Sequence, residues 1–287
     1  MRILNYLPAL LTAFVWGSTF VASKLVLDHN VSPLTLMTIR FALAYLILAL
    51  FGFRHKIQFA WNQQEALLLL AGLTGGSIYF LSEYLALQRT SAINVGLISA
   101  TVPVIATAIT LLSKRILPKW TYIVGSLLAL FGVTYLVTDG KFAVEIFPLG
   151  DILAIVAATL WALYSVIISR LDKNLPYIAV SRRMMLYSLV SIIPFTIAVG
   201  STDELTAFEN TEILLPALYL GCIASALCVF LWNWSIGHVG LIRTNNFLYL
   251  LPVVSLLTSA LFADELITSK TIIATFLIVA GIIIADR

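Results

Sequence analysis

The stretch VPVIATAITLLSKRILPKWTYIVGSLLALFGV, Val102 to Val133, aligns without a gap beneath LPVVSLLTSALFADELITSKTIIATFLIVAGI, Leu251 to Ile282. Pro103 falls on Pro252 and Gly132 on Gly281. With small shifts in loop length the correspondence extends outward: Trp16 falls on Trp161, and Pro33 with Arg40 falls on Pro176 with Arg183, at a spacing of seven in both copies. Self-similarity on this scale marks a duplicated unit. It divides the chain into a first copy, residues 1–138, and a second, residues 139–287.

Composition says what the unit is made of. The 287 residues are 61% hydrophobic and 11% charged with a mean hydropathy of +1.01, whereas about a quarter of the residues of a soluble domain are charged. Apolar runs are interrupted near residues 28–33, 53–63, 88–92, 113–120, 139–149, 171–177, 200–212, 237–243 and 264–270. Nine breaks give ten runs, and none shows the short alternation of an outer-membrane strand, so each is read as a helix that satisfies its own backbone inside lipid. At roughly 20 residues per span, ten helices leave almost no room for a separate soluble domain. The first run, Leu4 to Leu27, is too long for a signal-peptide core and has no small-residue cleavage site, so it reads as a retained span. The expected fold is an all-α polytopic membrane protein of ten transmembrane helices.

Five helices per copy is an odd number, so the second copy enters the membrane from the opposite side and the two form an inverted repeat. Such a repeat supplies an outward-open and an inward-open state by exchanging the conformations of its halves. Orientation follows from the basic residues. One face collects Arg2, Arg54, Lys56, Lys114, Arg115, Lys119, Arg170, Lys173, Arg243 and Arg287; the other has Lys24, Arg89, Lys141 and Lys270 with the acids Asp203, Glu204 and Glu209. The positive-inside rule places both termini in the cytoplasm. A net charge of +3 and a pI of 8.8 therefore record topology and not affinity for nucleic acid. Cys222 and Cys228 lie six apart on different helix faces, a spacing that suits neither a disulfide nor a metal. The histidines His29, His55 and His238 fall in or beside loops, and neither HExxH nor GxxxxGK[ST] occurs. An enzyme, a cofactor and a nucleotide-driven pump are all disfavoured.

Three stretches carry a family likeness: ALQRTSAINVGLISATVPVIATAITLLSKRI (Ala86 to Ile116), WGSTF (Trp16 to Phe20), and LFADELIT with Glu265. They resemble the EamA-type, ten-helix branch of the drug/metabolite transporter superfamily, over nearly the whole chain and in two tandem copies. The resemblance implies an inner-membrane carrier with a central cavity, in a family many of whose members export amino acids or related metabolites. The first copy departs from the pattern by having Ile116 where the second has Glu265. The implied partners are a small-molecule substrate, the lipid bilayer and protons as a candidate coupling ion, the chain acting as a monomer or homodimer. Competing readings are an exporter of hydrophobic cations or drugs, a metabolite exchanger, a channel and a non-transporting assembly factor.

Charges inside a bilayer are costly and mark function. Arg40, Glu83, Arg182 and Arg183 are the candidates. Arg40 and Glu83 lie at similar depths from the external side, which predicts an ion pair that gates the cavity or binds the two ends of a zwitterion. Arg183, the mate of Arg40, has Trp232 where the first copy has Glu83, so it is expected to lack a carboxylate; Arg182 reads as a headgroup anchor. Tyr79 sits one turn before Glu83 on the same face, preceded by GLTGG, which serves as a packing surface or a hinge. Trp16 and Trp161 lie mid-helix, away from the interfacial belts, with Thr19 and Tyr164 close by; all four are candidate substrate contacts. Thr101 on the fourth run, and Asn245 with Tyr249 sharing a face of the ninth, complete the set. Pro103 and Pro252 are expected to kink their helices and free a carbonyl.

Overall fold

A computed structural model describes residues 3–55, 60, 62–90, 92–138, 140, 147–199, 202–262 and 269–287. Arg2, Lys56, Lys141 and Glu265 lie outside the described residues. Ten helices are long and apolar enough to cross a membrane: α1 Leu4–Asp28, α2 Pro33–Phe51, α3 Gln63–Leu87, α4 Asn94–Lys114, α5 Trp120–Val137, α6 Pro148–Ser169, α7 Tyr177–Ala198, α8 Thr211–His238, α9 Leu241–Thr258 and α10 Ser269–Asp286. No strand occurs among the described residues. The chain is a ten-helix, multi-pass membrane protein.

Local chemistry sets the helix ends. Ser32 caps α2 by accepting from the Thr35 N–H, with Pro33 in the first turn; Asn62 does the same for α3 through Glu65 N–H, and Asn210 for α8 through Glu212 N–H. Each cap satisfies an amide that the first turn leaves without an intrahelical partner. The α8–α9 link is the tightest, turning on Gly240 at a φ of +99°, a conformation that glycine alone adopts without strain.

Polar and apolar surfaces are arranged for lipid. Leu46, Leu127, Ile197, Phe195 and Phe276 are exposed, while Thr12, Arg40, Glu65, Asn94, Asn233 and Asn245 are buried. With hydrocarbon outside, helices associate through close packing and hydrogen bonds. The α5–α10 pair relies on small residues: a Cβ on Gly125 would lie 2.3 Å from the Ala285 amide nitrogen, and one on Gly281 would lie 2.6 Å from that of Ala129. Elsewhere α2 packs on α7, α3 and α4 on α6, and α1 on α8 and α9.

Helices α4 and α9 are interrupted close to Pro103 and Pro252, whereas α7 and α8 carry Pro194 and Pro216 inside helical turns. In α4 the helix is interrupted by a turn at residues 100–101, directly before Pro103; in α9 a 3₁₀ turn, Phe247–Leu250, precedes Pro252. Two π turns come as additions: Leu73–Ser77 in α3 and Tyr219–Leu227 in α8. Moving residues 73–77 by the 149 positions that separate Val102 from Leu251 gives 222–226, inside the second π turn. The two copies share this distortion, which in α3 falls on the GLTGG stretch.

Gly125→Ala places a methyl against backbone that has no side chain to move aside. It is expected to destabilise the protein by about 1–3 kcal/mol, the range for overpacking, seen as a lower thermal midpoint in detergent; an unchanged midpoint refutes the close-packed α5–α10 contact.

Candidate functional site

The site begins with a tryptophan. Trp16, midway along α1, donates its indole N–H to the Ala224 carbonyl at 2.9 Å, inside the π turn of α8. Held there, its ring meets Trp161 edge-on at 5.0 Å and Trp232 at 4.9 Å. Tyr79 lies 4.8 Å from Trp161 on another side. Thr19, one turn after Trp16, donates to the Trp16 carbonyl, which keeps its oxygen lone pairs at the pocket wall.

Arg40 is 3% exposed. Its Nε donates to Ser225 Oγ and its Nη1 to the Tyr84 hydroxyl at 2.9 Å, while the guanidinium lies 4.1 Å from the centre of the Phe80 ring. Hydrogen bonds and the ring face together replace the water a buried cation loses. Glu83, also buried, accepts from the Tyr79 hydroxyl one turn back. Both charged groups line one pocket of about 50 Å³ with Trp16, Thr19, Tyr79 and Trp161. The expected direct Arg40–Glu83 ion pair is not formed: Arg40 bonds to Ser225 and Tyr84, and Glu83 to Tyr79. Tyr84 and Ser225 turn the guanidinium one way, and Tyr79 turns the carboxylate another.

Other predicted residues are placed elsewhere. Thr101 bonds back to the Ile98 carbonyl and leaves the pocket wall to Ser99 and Val102. Tyr164 stands behind Trp161, donating to Asn233 Oδ1, whose amide donates to Ser181. Asn245 accepts from Ser165 on α6, whereas Tyr249 packs with α5 and α10 residues, its hydroxyl without a hydrogen-bond partner. Their shared helix face is split by the 3₁₀ turn at Phe247–Leu250, which re-aims the second residue. The Pro103 carbonyl takes the Tyr122 hydroxyl at 3.0 Å.

Arg183 does have a carboxylate, contrary to expectation. Its Nε lies 3.6 Å from Glu65 Oε1, which also accepts from the Tyr187 hydroxyl. The acid comes from the start of α3 in the other copy, where alignment of the copies with each other does not look. Arg182 donates to the carbonyls of Gly52 and His55 at 2.7 and 2.8 Å, closing the end of α2. Glu65, Tyr84, Ser225 and Phe80 escaped the sequence reading. Tyr84 sits beside Glu83 and Phe80 beside Tyr79, but only the fold aims them at Arg40.

A second, larger cleft of about 460 Å³ opens on the face that carries the termini, lined by Lys114, Arg170, Lys173, Tyr177 and Arg243 among others.

Comparison with known proteins follows the same lines. The EamA-like transporter family matches residues 4–138 and again residues 148–285. A probable amino-acid metabolite efflux pump of Escherichia coli is 28% identical over 96% of this chain and 92% of its own length. A transporter of Archaeoglobus fulgidus, described as uncharacterized, is 25% identical over 97% of this chain and 96% of its own. A crystal structure of another protein superposes with a TM-score of 0.80 at 19% identity, covering 99% of this chain and 97% of that one, and so shares the fold.

Tyr84→Phe removes one neutral partner from a buried cation. The expected cost is about 1.5–3 kcal/mol, as for hydrogen bonds to charged groups. In a double-mutant cycle with Arg40→Met the two losses should be strongly non-additive; simple additivity of the thermal shifts refutes the contact.

Proposed function

The chain is a member of the EamA-like transporter family, a multi-pass membrane carrier and not an enzyme, and on that premise we propose that it exports small zwitterionic metabolites such as amino acids across the cell inner membrane by alternating access. One observation carries the reading: Arg40 and Glu83 face the same aromatic-walled pocket without a direct ion pair between them. Arg40 keeps guanidinium N–H groups beyond those spent on Ser225 and Tyr84, and Glu83 keeps Oε1. A cargo carboxylate matches the first and a cargo ammonium the second. A hydrophobic cation would meet the buried Arg40 charge, which disfavours that alternative.

Pocket size supports a cycle of states. Its volume of about 50 Å³ is well below the roughly 150 Å³ of an apolar cavity that admits benzene, so cargo enters only as the helices part. A cleft of about 460 Å³ opens on the face of the termini, the face that the positive-inside rule assigns to the cytoplasm in this scheme. Support for the inverted relation of the copies comes from the pocket wall. Trp16 and Trp161, Ser99 and Leu248, and Val102 and Leu251 all line it, and each is a pair that the repeat alignment exchanges. A pocket on the exchange axis is lined by the same positions in both states.

Glu83 is the coupling group in this scheme: a proton and the cargo ammonium compete for the same carboxylate, and the Tyr79 hydroxyl holds it in place. Counterflow in proteoliposomes with pooled amino acids, nucleosides and cationic dyes tests the cargo. Saturable exchange of at least one amino acid is expected; its absence for every amino acid overturns the cargo assignment. Arg40→Gln and Glu83→Gln should each lower counterflow by about tenfold or more, the equivalent of one lost charge-assisted contact of about 1.4 kcal/mol or above. Glu83→Gln should also flatten its pH dependence, and an unchanged rate and pH profile refutes proton coupling.

A further inference from the structure

Helix α3 carries a carboxylate near each end. Glu65 lies in its first turn and Glu83 near its last, about 27 Å apart at 1.5 Å per residue. The two serve different neighbours. Glu83 faces the pocket. Glu65 is 2% exposed, bonded to the Tyr187 hydroxyl and paired with Arg183 on α7. A second strap lies beside it, the Gln64 side chain accepting from the Asp172 amide at 3.0 Å.

Between these ends the helix is modified at one place, the π turn Leu73–Ser77. Single π turns recur at functional positions because they interrupt the regular ladder and permit local bending. Here the turn rests on α7 through glycine: a Cβ on Gly76 would fall 2.0 Å from Ser188 Oγ, and one on Gly72 2.8 Å from the Met184 carbonyl. Ser188 donates to the Gly72 carbonyl at 2.9 Å and Ser191 to Ser77 at 2.8 Å. Beyond the turn come Tyr79, Phe80 and Glu83 in the pocket wall and Tyr84 on Arg40. Latch, pivot and pocket therefore lie in sequence along one element.

The second copy has the pivot and not the latch. Its π turn supplies Ser225 to Arg40 and the Ala224 carbonyl to Trp16, but the repeat alignment puts Leu214 where the first copy has Glu65. An ion pair buried on one side of the exchange adds little to stability compared with apolar packing. Its value lies in being either made or broken.

We propose that Glu65 is a positioning residue of the transport cycle: the Glu65–Arg183–Tyr187 cluster latches the first half of α3 to α7, and its release lets α3 bend at Leu73–Ser77 and reposition Tyr79, Phe80 and Glu83. The proposal rests on the carrier reading above, and its test has an arm independent of any cargo. Met184→Cys, buried against α3, is introduced into a protein whose Cys222 and Cys228 are replaced by alanine, and its alkylation by a membrane-permeant maleimide is timed in proteoliposomes. Glu65→Gln and the milder Tyr187→Phe should speed alkylation. In counterflow, Glu65→Gln should change the saturating rate by at least about fivefold while the half-saturating concentration stays within about twofold, the split expected of a group that acts without touching cargo. Exchanging the pair, Glu65→Arg with Arg183→Glu, should restore both readouts. Unchanged alkylation in both single variants overturns the latch, and faster alkylation with an unchanged saturating rate overturns its place in the cycle. If the parent protein carries out no counterflow of any amino acid, the cargo assignment fails while the alkylation arm still decides the latch.

Discussion

A guanidinium buried in the centre of a helical bundle, with hydrocarbon beyond, dictates its own surroundings. Arg40 is desolvated, and a charge taken out of water must be paired or hydrogen-bonded to be tolerated. Its partners come from two other helices: Ser225 on α8, and Tyr84 and Phe80 on α3. These partners fix the rotation of α3 and α8 about α2. That rotation turns Glu83 and Tyr79 into the same space and puts the Ala224 carbonyl where the Trp16 indole meets it. The pocket is in this sense a consequence of solvating one cation without water.

The distortions of the helices obey the same requirement. A helix in lipid satisfies its backbone internally, so any break must be re-satisfied by a neighbour. At the π turn of α3 the Gly72 carbonyl is taken by Ser188, and in that of α8 the Ala224 carbonyl is taken by Trp16. Both copies break the same helices at corresponding places, α4 and α9 before a proline and α3 and α8 at a π turn. These four helices all border the pocket or hold its walls, whereas α5 and α10, which pack glycine to backbone, are unbroken. The broken helices meet at the pocket, where unbroken α1, α2 and α6 supply Trp16, Arg40 and Trp161.

How much was legible depended on the range of the interaction. The breaks near Pro103 and Pro252 are local, set by residues within a turn of one another. Mid-helix Trp16 and Trp161 were legible as interior residues because lipid and interface have separate compositional rules. The Arg40–Glu83 pair was misjudged because depth along a helix says nothing of rotation about its axis, and Tyr84 and Ser225 competed successfully for the guanidinium. Asn245 and Tyr249 were misjudged because a shared face presupposes a regular helix, and the 3₁₀ turn between them removed that premise.

What the sequence by itself determined is the solvent, the number of spans and the duplication, since hydropathy and repeat spacing are sums over many residues and survive local error. Its basic residues give an expected orientation by the same additive rule. Only the tertiary structure decided which carboxylate meets which arginine. Glu65 reaches Arg183 from the other copy, and Glu83 stands apart from Arg40 at a distance no alignment of the copies measures. The reason is physical: in a bilayer each buried charge takes whichever partners the packing of distant helices brings within a few ångströms, and that choice is made in three dimensions.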